Sequence, residues 1–208
     1  MKLFKNTFFG LVAGACLTLL STAANATLIS IETDQQQYQT GDTVTAWIKV
    51  NNASETLNGF FLALQYQPAQ LWLQSWTFGN GFNDGFGSYA YSAHDLFNGK
   101  LSLEEYADWA ADMDALMAQQ QGGFVLAMLK FTAGTAGQFV LGLDANYLGL
   151  LGQSGDMQSP DWAGVSINVQ NPVAVPTPAP AVLMLTSLLL LGAHRTRLAL
   201  KNKAGSLV

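Results

Sequence analysis

Thr43-Val44-Thr45-Ala46-Trp47-Ile48-Lys49-Val50 is the stretch that decides the fold class. Val44, Ala46, Ile48 and Val50 fall on one side of an extended chain, and Thr45, Trp47 and Lys49 fall on the other. A period of two belongs to a strand with one buried face, because successive side chains of a strand point to opposite sides. Gly41-Asp42 in front of it is a turn. The same grammar repeats outward from there. Ile29 and Ile31 alternate with Ser30 and Glu32. Phe60, Leu62, Leu64 and Tyr66 form another inward face, with Gln65 and Gln67 pointing away and Pro68 as a stop. Residues 71–76 make a short strand. Residues 124–131 are apolar on both faces, as a central strand is. Phe139, Leu141 and Leu143 continue beyond a small-residue turn, and residues 165–169 close the series.

Many short strands with turn punctuation predict an all-β sandwich. One helix interrupts the pattern. Ser102 followed by Glu105 reads as a capping box. Leu103, Tyr106, Ala110, Met113 and Met117 then recur at helical spacing, with Glu104, Asp108 and Asp112 on a common outward stripe. Gly122-Gly123 ends that helix.

The two ends of the chain read differently. Lys2 and Lys5 precede an apolar run at 8–20, and Ala24-Asn25-Ala26 is a small-x-small site, so residues 1–26 are expected to be a signal peptide cut after Ala26 by a signal peptidase. Cys16, the single cysteine, lies inside that signal, so the exported domain is expected to carry no disulfide. At the other end, Pro172, Pro176, Pro178 and Pro180 punctuate a stretch expected to be extended and semi-rigid. An apolar run follows, then His194, Arg195 and Arg197. Residues 179–193 would make roughly 22 Å of helix against a hydrocarbon core of about 30 Å, a marginal span. Basic residues after it should stay in the cytoplasm, with the run in the inner membrane and the preceding domain outside. The expected division is therefore 1–26 signal peptide, 27–171 sandwich domain, 172–181 Pro-rich linker and sorting motif, and 182–208 apolar helix with a basic tail.

Charge sharpens this division. All 14 acidic residues fall within 27–171, where only Lys49, Lys100 and Lys130 are basic. Such an anionic domain should repel nucleic acid. Chemistry is hard to find in it. His94 is its one histidine; His94-Asp95 is read as part of a loop, and Gly152-Gln153-Ser154-Gly155 lacks the nucleophile-elbow pattern. One histidine and no cysteine argue against zinc. No catalytic set, cofactor or metal ligand is therefore assigned. Calcium is the one ion left open, on Asn80, Asn83 and Asp84 in the Gly-rich loop 79–87, although their spacing does not fit an EF-hand. Trp47, Trp72 and Trp76, on or near strands, are the candidate ligand-binding residues, since exposed aromatic faces stack on sugars and anchor protein interfaces. Phe82, Phe86, Tyr89 and Tyr91 are placed in the following loop.

Two resemblances add to this reading. Val175-Pro176-Thr177-Pro178-Ala179-Pro180-Ala181, followed by an apolar run and Arg195 and Arg197, resembles the PEP-CTERM family of sorting signals, with Thr177 where the commoner form has Glu. The resemblance implies processing by an exosortase in a Gram-negative host, often one that makes exopolysaccharide. The stretch 57–71, ending Gln65-Tyr66-Gln67-Pro68-Ala69-Gln70-Leu71, together with Gly41-Asp42-Thr43-Val44 and 122–133, resembles cohesin-like domains. That implies a jelly-roll β-sandwich of about nine strands. In cellulosomes such domains bind dockerins; no dockerin-like calcium repeat occurs here.

The expectation is a non-enzymatic exported protein. It starts as an inner-membrane-anchored precursor and ends at the cell surface or in the extracellular matrix. Its sandwich would bind a surface protein or a polysaccharide. A structural spacer without a ligand, or a polysaccharide-acting hydrolase using two carboxylates, stay open at this point.

Overall fold

A computed structural model of the chain describes residues 27–172 and, in the tail, 184–185 and 187–188. The signal-cleavage residues Ala24 and Ala26, the sorting-motif residues 175–181, and Arg195 and Arg197 lie outside the described residues. The chain divides after Asn171 into two units, and the sandwich belongs to the first. Among the described residues no helix is long and apolar enough to cross a membrane.

The strands run in the order β1 (Leu28–Thr33), β2 (Gln37–Gln39), β3 (Thr43–Asn51), β4 (Leu57–Gln65), β5 (Leu71–Phe78), β6 (Ser88–Asp95) and β7 (Lys100–Ala107). Helix α1 (Met113–Gln120) follows, and then β8 (Phe124–Ala133), β9 (Gly137–Gly152), β10 (Met157–Gln158), β11 (Asp161–Ala163) and β12 (Val165–Gln170). Nine of these strands have six or more residues, and β2, β10 and β11 are short. One sheet is ordered β11-β1-β3-β8-β5. The other is ordered β2-β12-β9-β4-β7-β6, with β10 paired to β9. Inward side chains of both sheets share one core, in which Ile29, Val44, Ile48, Leu129 and Phe131 of the first meet Phe60, Leu62, Leu64, Leu101 and Leu141 of the second. This is the expected β-sandwich with one inserted helix.

Period-two burial drives the pairing. In β3 every second residue from Val44 to Val50 is buried. In β4 the inward Phe60 meets Phe82 at 5.5 Å between ring centroids, and Phe82 in turn meets Phe124 edge-on at 5.5 Å. Tyr38, on the short β2, is buried and donates its hydroxyl to Asp34 Oδ1 at 2.7 Å while accepting from the Gln35 backbone N–H at 2.9 Å. Burial, and then that carboxylate, push its phenol up to about 12.

The structure corrects the helix. Residues 102–107 belong to β7, not to a helix begun at Ser102. Leu101, Leu103 and Glu105 point inward and Ser102, Glu104 and Tyr106 outward, which is a strand's alternation. The supposed capping box and the stripe of Glu104, Asp108 and Asp112 therefore do not exist as such. Asp112 is the real N-cap: its Oδ1 accepts from Asp114 N at 3.0 Å and Ala115 N at 3.3 Å. The buried face of α1 is Leu116 and Gln120, one turn apart, while Met117 is exposed. Residues 88–95 are also strand rather than loop, so Tyr89, Tyr91 and His94 sit on β6.

Candidate binding face

The outward side of the seven-stranded sheet is built in rows across β6, β7, β4 and β9. Cross-strand pairing sets Tyr89 beside Tyr106 and then Gly59 and Leu151. The next row runs Tyr91, Glu104, Phe61, Gly149. A third has Ala93, Ser102 and Ala63, and the last runs Asp95, Lys100, Gln65, Gly142. Directly opposed residues share a face and lie within side-chain reach. The β4–β9 ladder skips between Leu62 and Leu64, passing from Leu148 to Leu143 on β9. From the intervening residues Tyr147 reaches back over the face, meets Phe61 edge-on at 5.3 Å and donates its hydroxyl to Glu104.

The glycines of these rows are seats for rings. A Cβ on Gly59 would stand 2.4 Å from the Tyr106 ring, and one on Gly149 would stand 2.5 Å from the Phe61 ring. Each ring thus covers backbone that a side chain would otherwise occupy, which fixes the ring and shields the ladder beneath it. Tyr89 and Tyr91 remain 61% and 62% exposed.

Acid dominates the electrostatics of the face. The bond to Glu104, then burial and the same carboxylate's charge, push the Tyr147 phenol up to about 12. Burial, and then Glu104, raise Tyr106. Asp108 accepts from the Tyr89 hydroxyl at 3.1 Å and raises it too. These phenols are protonated donors held on carboxylates at neutral pH. Lys100 is the cation here, paired with Asp144 at 2.9 Å, with its Nζ 5.8 Å from the centre of the Tyr147 ring. Hydrogen bonds from Lys100 and from the Asn146 N–H hold the Asp144 carboxyl below its usual range.

The candidate tryptophans do not converge. Trp47 on β3 and Trp72 on β5 project from the outer side of the five-stranded sheet, opposite Met128 and Thr132 of the intervening β8. A register shift between Leu73 and Ser75 turns Trp76 inward, against the core and edge-on to His94 at 5.8 Å. His94 Nε2 lies 2.6 Å from the Tyr66 hydroxyl. The Asp95 carboxylate is held by its turn instead, accepting from Phe97 N, Asn98 N and Asn98 Nδ2. In the glycine-rich loop, Asn83 Oδ1 accepts from Gly85 N and Gly87 N, and Asp84 accepts from Phe86 N and Asp112 N. Those oxygens close the loop and tie it to the start of α1. Among the described residues no group of three His, Cys, Asp or Glu side chains is placed to hold a metal ion.

Sequence reading missed Phe61, Glu104, Tyr106 and Tyr147 as a set. The signal was present in the alternation of Tyr89 with Tyr91 and of Ser102, Glu104 and Tyr106, which a false helix concealed.

No protein-family model matches the chain, and no curated protein sequence matches it. Solved structures do. A type II cohesin domain from the cellulosome of Acetivibrio cellulolyticus is similar with a TM-score of 0.57 and 19% identity, covering 69% of this chain and 95% of that one. A type II cohesin from the same organism, solved as a cohesin–X-dockerin complex, is similar with a TM-score of 0.55 and 16% identity, covering 69% and 99%. A non-cellulosomal cohesin from the archaeon Archaeoglobus fulgidus is similar with a TM-score of 0.53 and 13% identity, covering 70% and 92%. The sandwich therefore has the fold of the cohesin domains.

Proposed function

We propose that this chain is a non-enzymatic, exported surface protein whose sandwich docks a protein partner through the tyrosine face of β6, β7, β4 and β9. The observation that carries the reading is the cluster of Phe61, Tyr91, Tyr106 and Tyr147 around Glu104 on one outward sheet face. Aromatic side chains on a rigid sheet are the residues that carry binding energy in protein interfaces. Glu104 and Asp108 call for a partner that presents lysine or arginine, which the rings would also attract. Two structures of the same fold come from complexes with dockerins, which supports a protein as the occupant. The N-terminal signal and the 175–181 motif support export and exosortase-type sorting of the precursor.

Photo-cross-linking in the host tests the docking face. Full-length chain carrying Tyr91→p-benzoylphenylalanine should give a discrete cross-linked protein, and Thr45→p-benzoylphenylalanine, on the opposite sheet, should not. Equal products from both positions, or none from Tyr91, would overturn the assignment. Sorting is read separately: removing residues 176–208 should release the domain to the periplasm or medium, and unchanged retention in the envelope would end that part of the reading.

A further inference from the structure

The last row of the same sheet, together with β11 at the edge of the five-stranded one, borders a second site with different chemistry. Trp162, on β11, lays the six-membered edge of its indole over two glycines. A Cβ on Gly142 would sit 3.5 Å from it and one on Gly164 would sit 3.3 Å from it. Those glycines leave a flat floor, and the ring remains 39% exposed. Beside it lies a cleft of about 570 Å³, bounded by Trp162, Val140, Gln65, Gln67, Asn98 and Lys100. That volume is within the range of small-ligand sites.

The polar groups of this cleft are amides and one closed ion pair. Gln65 and Gln67 are exposed. Asn98 spends its amide nitrogen on Asp95 at 2.6 Å, which leaves its amide oxygen as an acceptor. Lys100 is neutralised by Asp144. The elements are also held in place. Tyr66 N–H donates to Gly99 O at 2.9 Å, so the turn bearing Asn98 is fixed to the end of β4 beside Gln65 and Gln67. A Cβ on Gly99, at φ +61°, would stand 2.1 Å from Tyr66 O, so only glycine permits this closure.

We propose that the Trp162 cleft binds a neutral oligosaccharide. A flat, half-open indole matches the C–H face of a pyranose. Amides that both donate and accept match vicinal hydroxyls. The charge-neutral pair gives no reason to prefer a free anion or cation. The site is separate from the tyrosine cluster in chemistry and in test, so either can fail alone.

The test uses full-length chain in a zwitterionic, sugar-free detergent. Calorimetric titration with cellohexaose, xylohexaose, mannohexaose and chitohexaose should find binding to at least one of them. Trp162→Ala should weaken that binding about tenfold or more, as truncating a stacked aromatic anchor does. Gln65→Ala, at an exposed strand end, should weaken it measurably, and Trp109→Ala, removing another exposed indole, should leave it unchanged. No binding of any of the four at millimolar concentration would overturn the proposal. So would full affinity in both Trp162→Ala and Gln65→Ala, or an equal loss in Trp109→Ala.

Discussion

Gln120 offers the sharpest test of how the helix is held. Its side chain is buried, and its amide makes three bonds to backbone. Oε1 accepts from Leu57 N at 2.7 Å, and Nε2 donates to Leu57 O at 2.8 Å and to Gly81 O at 2.9 Å. One side chain therefore joins α1 to the start of β4 and to the loop after β5. Gln120→Leu keeps the volume but strands one N–H and two carbonyls in a dry site. Each unsatisfied group costs about 1–3 kcal/mol, with the carbonyls at the low end because they have a second lone pair. The sum is about 4 kcal/mol, a large part of the 5–15 kcal/mol typical of a domain. For a domain near 150 residues that is a fall of about 8–16 °C in Tm, read by circular dichroism. Gln120→Glu keeps the acceptor, loses both donors and sets a carboxylate against two carbonyl oxygens, so it should melt lower still at pH 8. Protonation returns one donor, so its deficit should shrink as pH falls. If Leu116 packing alone docked the helix, both variants would melt within about 3 °C of the wild type. That outcome, or a Glu variant more stable than the Leu variant at pH 8, would refute the reasoning.

Two further outcomes follow from the carboxylates of β7. Glu105 is 2% exposed, accepts from Ser88 Oγ at 2.6 Å and has no partner for Oε2, and burial raises its carboxyl. The folded state thus keeps the proton to higher pH than the unfolded chain. The stability this contributes is complete below the unfolded value of about 4.3 and is lost as pH rises through the folded one. Glu105→Gln should therefore gain Tm relative to the wild type between pH 4 and pH 8, and a constant difference across that range would contradict the assignment. Glu104→Gln should return the Tyr147 phenol from about 12 toward the ordinary value of about 10. Ultraviolet titration at alkaline pH, referenced to Tyr147→Phe, reads this directly, and an unmoved titration would show that Glu104 does not hold the hydroxyl.

How far the sequence could be read depended on whether a segment had one plausible period. Val44 to Val50 has only one, and its burial follows the alternation residue by residue. Phe60 to Tyr66 is equally plain. Residues 100–107 carry two. Ser102 and Glu105 stand at capping-box spacing, and Leu103 with Tyr106 stands at helical spacing, yet the same letters alternate Leu101, Leu103 and Glu105 inward. The strand prevails because β4 lies on one side of it and β6 on the other, pairing Gly59 through Gln65 and Ser88 through Asp95. That is a long-range fact no local window contains. A buried glutamate in an inward position hid the alternation further, because a charged residue normally marks the solvent side. The irregularity between Leu73 and Ser75 reverses the side on which every later residue of β5 lies, so Trp76 faces inward although it stands four residues after the outward Trp72.

Glycine explains why the candidate sites were least legible. Gly59, Gly142 and Gly149 lie inside strands, where sequence reading expects a bulge or a weak spot. Here each lies under a ring from elsewhere in the chain: Tyr106, Trp162 and Phe61. The pairing of ring with glycine holds aromatic surface rigid while leaving it on the outside, so little side-chain freedom remains to be lost on binding. It also separates the two surfaces by chemistry. Around Glu104 the phenol hydroxyls of Tyr147 and, through Asp108, of Tyr89 are already engaged. What that surface offers an incoming group is ring area and the unused lone pairs of carboxylates, which suit a lysine or arginine side chain better than a sugar hydroxyl. Around Trp162 the carboxylate is neutralised by Lys100, and what remains is an indole beside amides. The same device, a ring seated on a glycine, thus presents ring area beside carboxylates at one end of the sheet and an indole beside amides at the other, the contrast on which the two proposed occupants rest.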